Sequence, residues 1–215
     1  MKSLEAAKKR LAPLLNPLER RAFALAMLED VLYALSGGAG IEAVVVSSDP
    51  EVRARAAALA ARALDEGPAD IGLNAAIALA AQHLRTPDIP LMVVVADLPL
   101  LTPAAVDAFV RAGLDSGSRG PLVAVSRDGR GTNAIFVPGS VPFAPAFGTS
   151  SAASHLNLPG AFAWHDPAFA LDVDTPRDLA RLLVSAHAGR ALELAGEMGL
   201  ARRLARTGCE SDPDS

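Results

Sequence analysis

Short apolar runs alternate along this chain with longer segments whose apolar residues recur every three or four positions. Asn16 can cap a helix with Pro17 at its first position. Residues 18–35 then set Ala22, Leu25, Leu28, Leu32 and Leu35 on one stripe, and Gly37, Gly38 and Gly40 end it. The β-branched run Ala43-Val44-Val45-Val46-Ser47 predicts a buried parallel strand. Alanine-rich helices are predicted over 51–63 and 73–84. The most strand-like stretch, 91–96, stops at Asp97-Leu98-Pro99-Leu100, and Thr102 with Pro103 opens a helix to about residue 114. Strands are predicted over 122–126 and 133–137, separated by Asp128-Gly129-Arg130-Gly131. A last strand, 168–173, runs into Asp174-Thr175-Pro176, which open a helix over 177–187. Residues 189–206 read as one further helix.

This alternation predicts an α/β fold, a three-layer α/β/α sandwich around a mostly parallel sheet. Ligands in such folds bind beyond the carboxyl ends of the strands, which is where the polar motifs fall. The 215 residues suffice for one sizeable core. The reading divides them into a main domain at 1–188, a helical extension at 189–206 and a disordered tail at 207–215.

Composition narrows the function classes. Hydrophobic residues are 51% and charged residues 20%, with a net charge of −4, so no global electrostatic footprint for nucleic acid exists. An anionic substrate must be drawn by a local cluster. The lone Cys209 excludes an internal disulfide and a cysteine-rich zinc site. No run of eighteen apolar residues and no apolar leader segment is present, so no membrane partner is expected and the protein reads as cytoplasmic.

Five groups of residues could carry chemistry. Asp97 at a strand's carboxyl end can hold a magnesium ion against substrate phosphates, or can cap the turn before Pro99. Asp172 and Asp174, two apart, leave the same face of an extended run and repel unless a cation lies between them. Capping of the following helix explains Asp174 alone. Lys2, Lys8 and Arg10 are spaced like a loop wound around phosphates, or form an ordinary solvated end. Gly129-Arg130-Gly131-Thr132-Asn133 is either an anion loop or a hairpin turn. Phe147-Gly148-Thr149-Ser150-Ser151 leads into Ala152-Ala153-Ser154-His155, where hydroxyls and N–H groups at a helix start make an anion site or a plain cap. His155 is the one histidine inside a candidate site.

Six stretches together resemble one family: residues 2–13, Gly72-Leu73-Asn74, Ala96-Asp97-Leu98-Pro99, Gly131-Thr132-Asn133-Ala134, Phe147 through His155, and Leu171-Asp172-Val173-Asp174-Thr175-Pro176. They follow the order of the 2-phospholactate/phosphoenolpyruvate guanylyltransferases of the CofC/FbiD type, which serve coenzyme F-420 biosynthesis. The resemblance implies a glycosyltransferase-A-like nucleotidyltransferase fold. It implies transfer of GMP from GTP to a small phosphorylated three-carbon acid (phosphoenolpyruvate, 2-phospholactate or 3-phosphoglycerate), with pyrophosphate leaving. By motif, Asp97, Asp172 and Asp174 would hold Mg2+, and Thr132, Gly148 and Ser151 would hold the acid. Lys2, Lys8 and Arg10 would surround the phosphates, with Asp97, Lys8 and Arg10 in the catalytic role, and Asn74 would lie near the nucleoside.

One departure stands out. The family pattern has a short apolar strand ahead of the position matching Lys2, where this chain has Met1. The resemblance therefore implies a sheet lacking its first strand, through a mis-assigned start or in a damaged paralogue, and the intact downstream motifs favour the former. Two rival readings remain: a molybdenum-cofactor-type nucleotidyltransferase, and a non-catalytic nucleotide-binding paralogue. The sequence leaves oligomeric state open, a homodimer included.

Overall fold

The structure is a computed structural model that describes residues 4, 8–38, 40–67, 71–84, 86, 89–115 and 119–207. Helix α1 (Pro17–Ser36) opens on a capping box. The Asn16 side chain accepts from Glu19 N–H at 2.9 Å, and the Glu19 carboxylate accepts from Asn16 N–H at 2.8 Å. The sequence pattern predicts one apolar stripe. Instead, every residue from Phe23 to Leu28 is buried, because α1 packs into three hydrophobic clusters at once.

Strand β1 (Val44–Val46), helix α2 (Pro50–Ala58) and strand β2 (Arg62–Leu64) form a parallel β-α-β unit, with Val44 opposite Arg62 and Val46 opposite Leu64. The helix predicted over 51–63 thus ends early. Ala60 takes a left-handed φ of 59°, and Arg62 N–H donates to Ala43 O across the strand pair. Pairing with β1 overrides the helical preference of an alanine-rich segment.

The larger sheet has the order β3 (Leu91–Val94), β5 (Thr132–Val137), β4 (Leu122–Val125), β6 (Phe162–Trp164). The α/β class holds, but the directions are mixed. Parallel pairing joins β1 to β2 and β4 to β6, while β5 runs antiparallel to both of its neighbours. A six-residue turn, 126–131, connects β4 to β5, too short for a parallel crossover. Side chains alternate faces along these strands. Leu122, Ala124, Ala134 and Phe136 meet Phe109 of α4 (Pro103–Asp115) on one side. Val123, Val125, Ile135 and Val137 meet Ala152 of α5 (Ser151–Leu156) and Ile77 of α3 (Leu73–Leu84) on the other. Helices therefore cover both faces in three layers.

The strand predicted over 168–173 is replaced by the short helix α6 (Pro167–Ala170) and an irregular segment. Asp166 caps α6 by accepting from Ala168 N–H at 2.8 Å, with Pro167 at the first position. After α7 (Pro176–Leu183), the predicted single C-terminal helix is two: α8 (Arg190–Glu197) and α9 (Leu200–Arg206), broken at Gly199 with φ 63°. Both are built into the core. Ala191, Ala195, Leu200 and Leu204 share a cluster with Leu11, Phe23 and Met27. Asp30 of α1 accepts from Arg190 N–H at 2.6 Å and Ala191 N–H at 2.9 Å, which caps α8. Cys209 and most of the predicted tail lie outside the described residues.

Among the described residues no strand lies between β1 and β3. A cavity of about 1470 Å³ separates them, lined by Val44–Val46, by Leu91–Val95 and by side chains of α1 and α3. It continues past the carboxyl end of β3 to Asp97 and Lys8. No helix among the described residues is long and apolar enough to cross a membrane.

Candidate active site

Asp97 stands just past β3, and its carbonyl oxygen accepts from Val173 N–H at 3.2 Å. That bond ties the strand end to the segment carrying Asp172 and Asp174, so all three carboxylates line one cavity. Lys8 reaches them from the opposite end of the sequence. Its backbone is left-handed, with φ 51°, just ahead of a 3-10 turn at Lys9–Leu11. Its ammonium lies 2.6 Å from Asp97 Oδ2 and 2.6 Å from Asp174 Oδ1, and its side chain is only 8% exposed. Burial works against this charge, but the attraction of Asp97 and Asp174 outweighs it and raises the Lys8 pKa. Asp172 is different. Burial, with the negative charge of Asp97, holds its carboxyl above the usual carboxylate range, opposed by Asn133 Nδ2–H donating to it at 3.2 Å.

Carboxylate oxygens at a strand end are the donor set of a hard divalent cation. The pair Asp97–Asp174 fits one, since positive charge already sits between them as the Lys8 ammonium. The sequence places all three aspartates around one ion. In this conformation Asp172 lies beside the pair, and no three carboxylate or imidazole groups among the described residues close into a metal-holding cluster.

The second wall of the site joins β5 to the start of α5. Thr132 N–H donates to Ser151 Oγ at 2.9 Å, and Ala152 N–H donates to Arg130 O at 3.0 Å. The 129–133 stretch, read from sequence as hairpin or anion loop, is the end of a locked hairpin turn running into β5. Ser126 Oγ donates to Asp128 Oδ1 at 2.7 Å and accepts from Gly131 N–H at 2.7 Å. Gly148 takes φ 140° with open space where a Cβ would lie, so conformation rather than crowding requires glycine there. Thr132, Gly148 and Ser151 all line the cavity. His155, 1% exposed, lies behind them with Nδ1 at 2.9 Å from Thr132 Oγ1.

Asn74 has a structural contact that its motif does not imply. Both ends of its amide are taken by the backbone of Phe147: Nδ2–H donates to the carbonyl at 2.9 Å, and Oδ1 accepts from the N–H at 2.8 Å. It is not among the cavity-lining residues. Arg10 is exposed and lines the cavity, whereas Lys2 lies outside the described residues. Asn133, read from sequence only as the end of an anion loop or hairpin, instead holds the 169–170 carbonyls as well as Asp172. Sequence reasoning passed over Arg127 and Arg177, which with Arg130 are exposed cations on the rim. The only signal for these was position: each follows a strand or opens a helix at the carboxyl side of the sheet.

The arrangement offers acidic groups beside a buried ammonium at one end and hydroxyl and amide donors at the other. Comparisons with known proteins agree with it. The family described as "Guanylyl transferase CofC like" matches residues 1–209. A phosphoenolpyruvate guanylyltransferase of Sphaerobacter thermophilus is 37% identical over 201 residues, covering 90% of this chain and 94% of that protein. Another, from Rubrobacter xylanophilus, is 37% identical over 196 residues, covering 86% and 91%. Among solved structures, one described as a nucleotide-diphospho-sugar transferase from Desulfovibrio desulfuricans superposes with a TM-score of 0.68 at 16% identity over 95% of both chains. A cytidylyltransferase from Leptospira borgpetersenii gives 0.54 at 14% identity, over 83% of this chain and 84% of the other. Those two likenesses concern the fold. The match along nearly the whole chain places the protein in the CofC-like guanylyltransferase family.

Proposed function

We propose that this protein transfers GMP from GTP to phosphoenolpyruvate. A phosphate oxygen of the acid attacks the α-phosphorus of GTP, the bond to the α,β-bridging oxygen breaks, and pyrophosphate leaves. No covalent enzyme intermediate is required, and catalysis rests on positioning and charge neutralisation. The observation that carries the reading is the Lys8 ammonium held between Asp97 and Asp174 at the mouth of a cavity whose other wall is Thr132, Gly148 and Ser151.

In this reading Lys8, with Arg10 beside it, neutralises charge on the triphosphate, and the rim arginines draw in the two anionic substrates. Asp97 and Asp174 would hold magnesium, with Asp172 in support. When bound, the ion would supply further neutralisation of the phosphates. Thr132 and Ser151 hydroxyls, with the backbone around Gly148, would bind the phospho-acid. The relatives named above act on phosphoenolpyruvate by their names, which favours that acid over 2-phospholactate and 3-phosphoglycerate. The product would be an activated acid of the kind coenzyme F-420 biosynthesis uses.

The test is pyrophosphate release by the purified protein with GTP, magnesium and each of the three acids in turn. Release with phosphoenolpyruvate above the other two supports the proposal. Nucleotide binding with no release in any arm would support a non-catalytic paralogue instead.

A further inference from the structure

The imidazole of His155 is buried behind the acid-binding wall, and its two nitrogens have different partners. Nε2 faces the backbone N–H of Ala146 at 3.2 Å and must accept from it, since an amide nitrogen can only donate. The proton of the neutral ring therefore sits on Nδ1, which donates to Thr132 Oγ1 at 2.9 Å. Burial holds the ring's pKa below the usual histidine range, which keeps it neutral. Phe147 packs edge-on against the ring, with centroids 4.8 Å apart, and fixes its plane.

These contacts have a consequence for Thr132. Its oxygen accepts from His155, so its own hydroxyl hydrogen is left to donate elsewhere. No acceptor among the described residues takes it, and Thr132 lines the cavity. Ser151 is set the same way, because its oxygen accepts from Thr132 N–H.

We propose that His155 is a positioning residue for the acceptor substrate: it turns the Thr132 hydroxyl into a donor committed to an anionic oxygen of the bound phospho-acid. The inference rests on the proposed reaction, in which that acid occupies the Thr132–Ser151 wall. A hydroxyl with no bond made can turn its hydrogen in any direction, whereas one whose oxygen accepts from a ring N–H has its hydrogen turned away from that ring and free for an anion on the other side. The site thereby discriminates in favour of anionic acceptors without placing a positive charge on this wall.

The test is a double-mutant cycle on steady-state kinetics, with two histidine replacements. His155→Gln keeps an acceptor near the Nε2 position and loses the donor to Thr132. His155→Asn keeps a donor near Nδ1 and loses the contact to Ala146. Thr132→Val removes the hydroxyl. The expected results are a KM for the acid raised about tenfold by His155→Gln and by Thr132→Val, and still about tenfold in the double variant, because one interaction is lost in all three. His155→Asn should stay within about threefold of wild type, and the KM for GTP should hold throughout. Thermal unfolding of each variant establishes that the comparison is between folded proteins. An increase of about a hundredfold in the double variant, or equal rises in both KM values, would overturn the role of His155. Wild-type turnover in the same assay reports separately on the proposed reaction. Its absence would overturn both readings, while turnover with an additive cycle would overturn this one alone.

Discussion

Lys8 and Asp97, eighty-nine residues apart, meet at 2.6 Å, and the same ammonium lies 2.6 Å from Asp174. A buried ammonium between two carboxylates neutralises a site that would otherwise repel a triphosphate. It also occupies ground that a divalent cation would share. Lys8→Met should therefore have two opposite effects. Without nucleotide, the affinity for Mn2+, used as a probe for magnesium, should rise, because the competing cation is gone. Turnover should fall by about a hundredfold, because the positive charge facing the phosphates is lost. Calorimetric titration and pyrophosphate release check the two, and a variant with weaker metal binding would contradict the shared ground.

Gly148 and Ser151 offer a second test. Alanine at 148 has room but must adopt φ 140°, a strain of about 1–3 kcal/mol in the loop. Gly148→Ala should raise the KM for the acid and leave that for GTP nearly unchanged. Ser151→Ala should do the same, since it removes one hydroxyl donor and the acceptor for Thr132 N–H. An unchanged acid KM in both variants would remove this loop from the acceptor site.

Asn74 separates two roles by substrate. Its amide clamps both backbone groups of Phe147, so Asn74→Ala should loosen the loop, lower the melting temperature and raise the KM for the acid. The family motif implies a nucleoside contact instead. A KM for GTP that rises while the acid's holds would favour that role over the clamp.

The C-terminal helices make a prediction about pH. Burial holds the Asp30 carboxyl above the usual carboxylate range, against the pull of the Ala191 and Arg190 N–H groups. A folded-state pKa above the unfolded value means the native form keeps its proton to higher pH. Stability from this group therefore falls as pH rises from the unfolded to the folded pKa, and is level above. Asp30→Asn should remove that decline while weakening the cap on α8, a loss of about 1–3 kcal/mol at the acid end that shrinks toward neutral pH, where wild type bears the buried charge. Urea unfolding from about pH 4 to pH 7 checks both.

What was legible in the sequence was local chemistry. Asn16-Pro17, Thr102-Pro103 and Thr175-Pro176 each announce a helix start, because capping and the fixed φ of proline act within a few residues. The β-branched runs that became β1 and β3 were equally plain. What failed depended on partners far away in sequence. Arg62–Leu64 lacks β-branched residues and is a strand only because β1 lies beside it. Phe162–Trp164 pairs with β4 across some forty residues, while the sequence pattern predicts the strand in the stretch after it, even though Asp166-Pro167 carries the usual opening signal of a helix. In the site, residue types and family order single out Asp97, Asp174, Lys8, Thr132 and Ser151, which line one cavity. They could not tell that Lys8 would bridge two carboxylates, that Asp172 would stand beside the pair, or that Asn74 would grip a backbone. Those are facts of three-dimensional pairing.

The most direct measurement compares wild type with Asp97→Asn and Asp174→Asn for pyrophosphate release from GTP in the presence of magnesium and phosphoenolpyruvate. The predicted result is wild-type turnover with a guanosine-linked acid as product. Each variant should be at least about a hundredfold slower with an unchanged circular dichroism spectrum. Variants as fast as wild type would contradict the assignment of chemistry to this acidic pair.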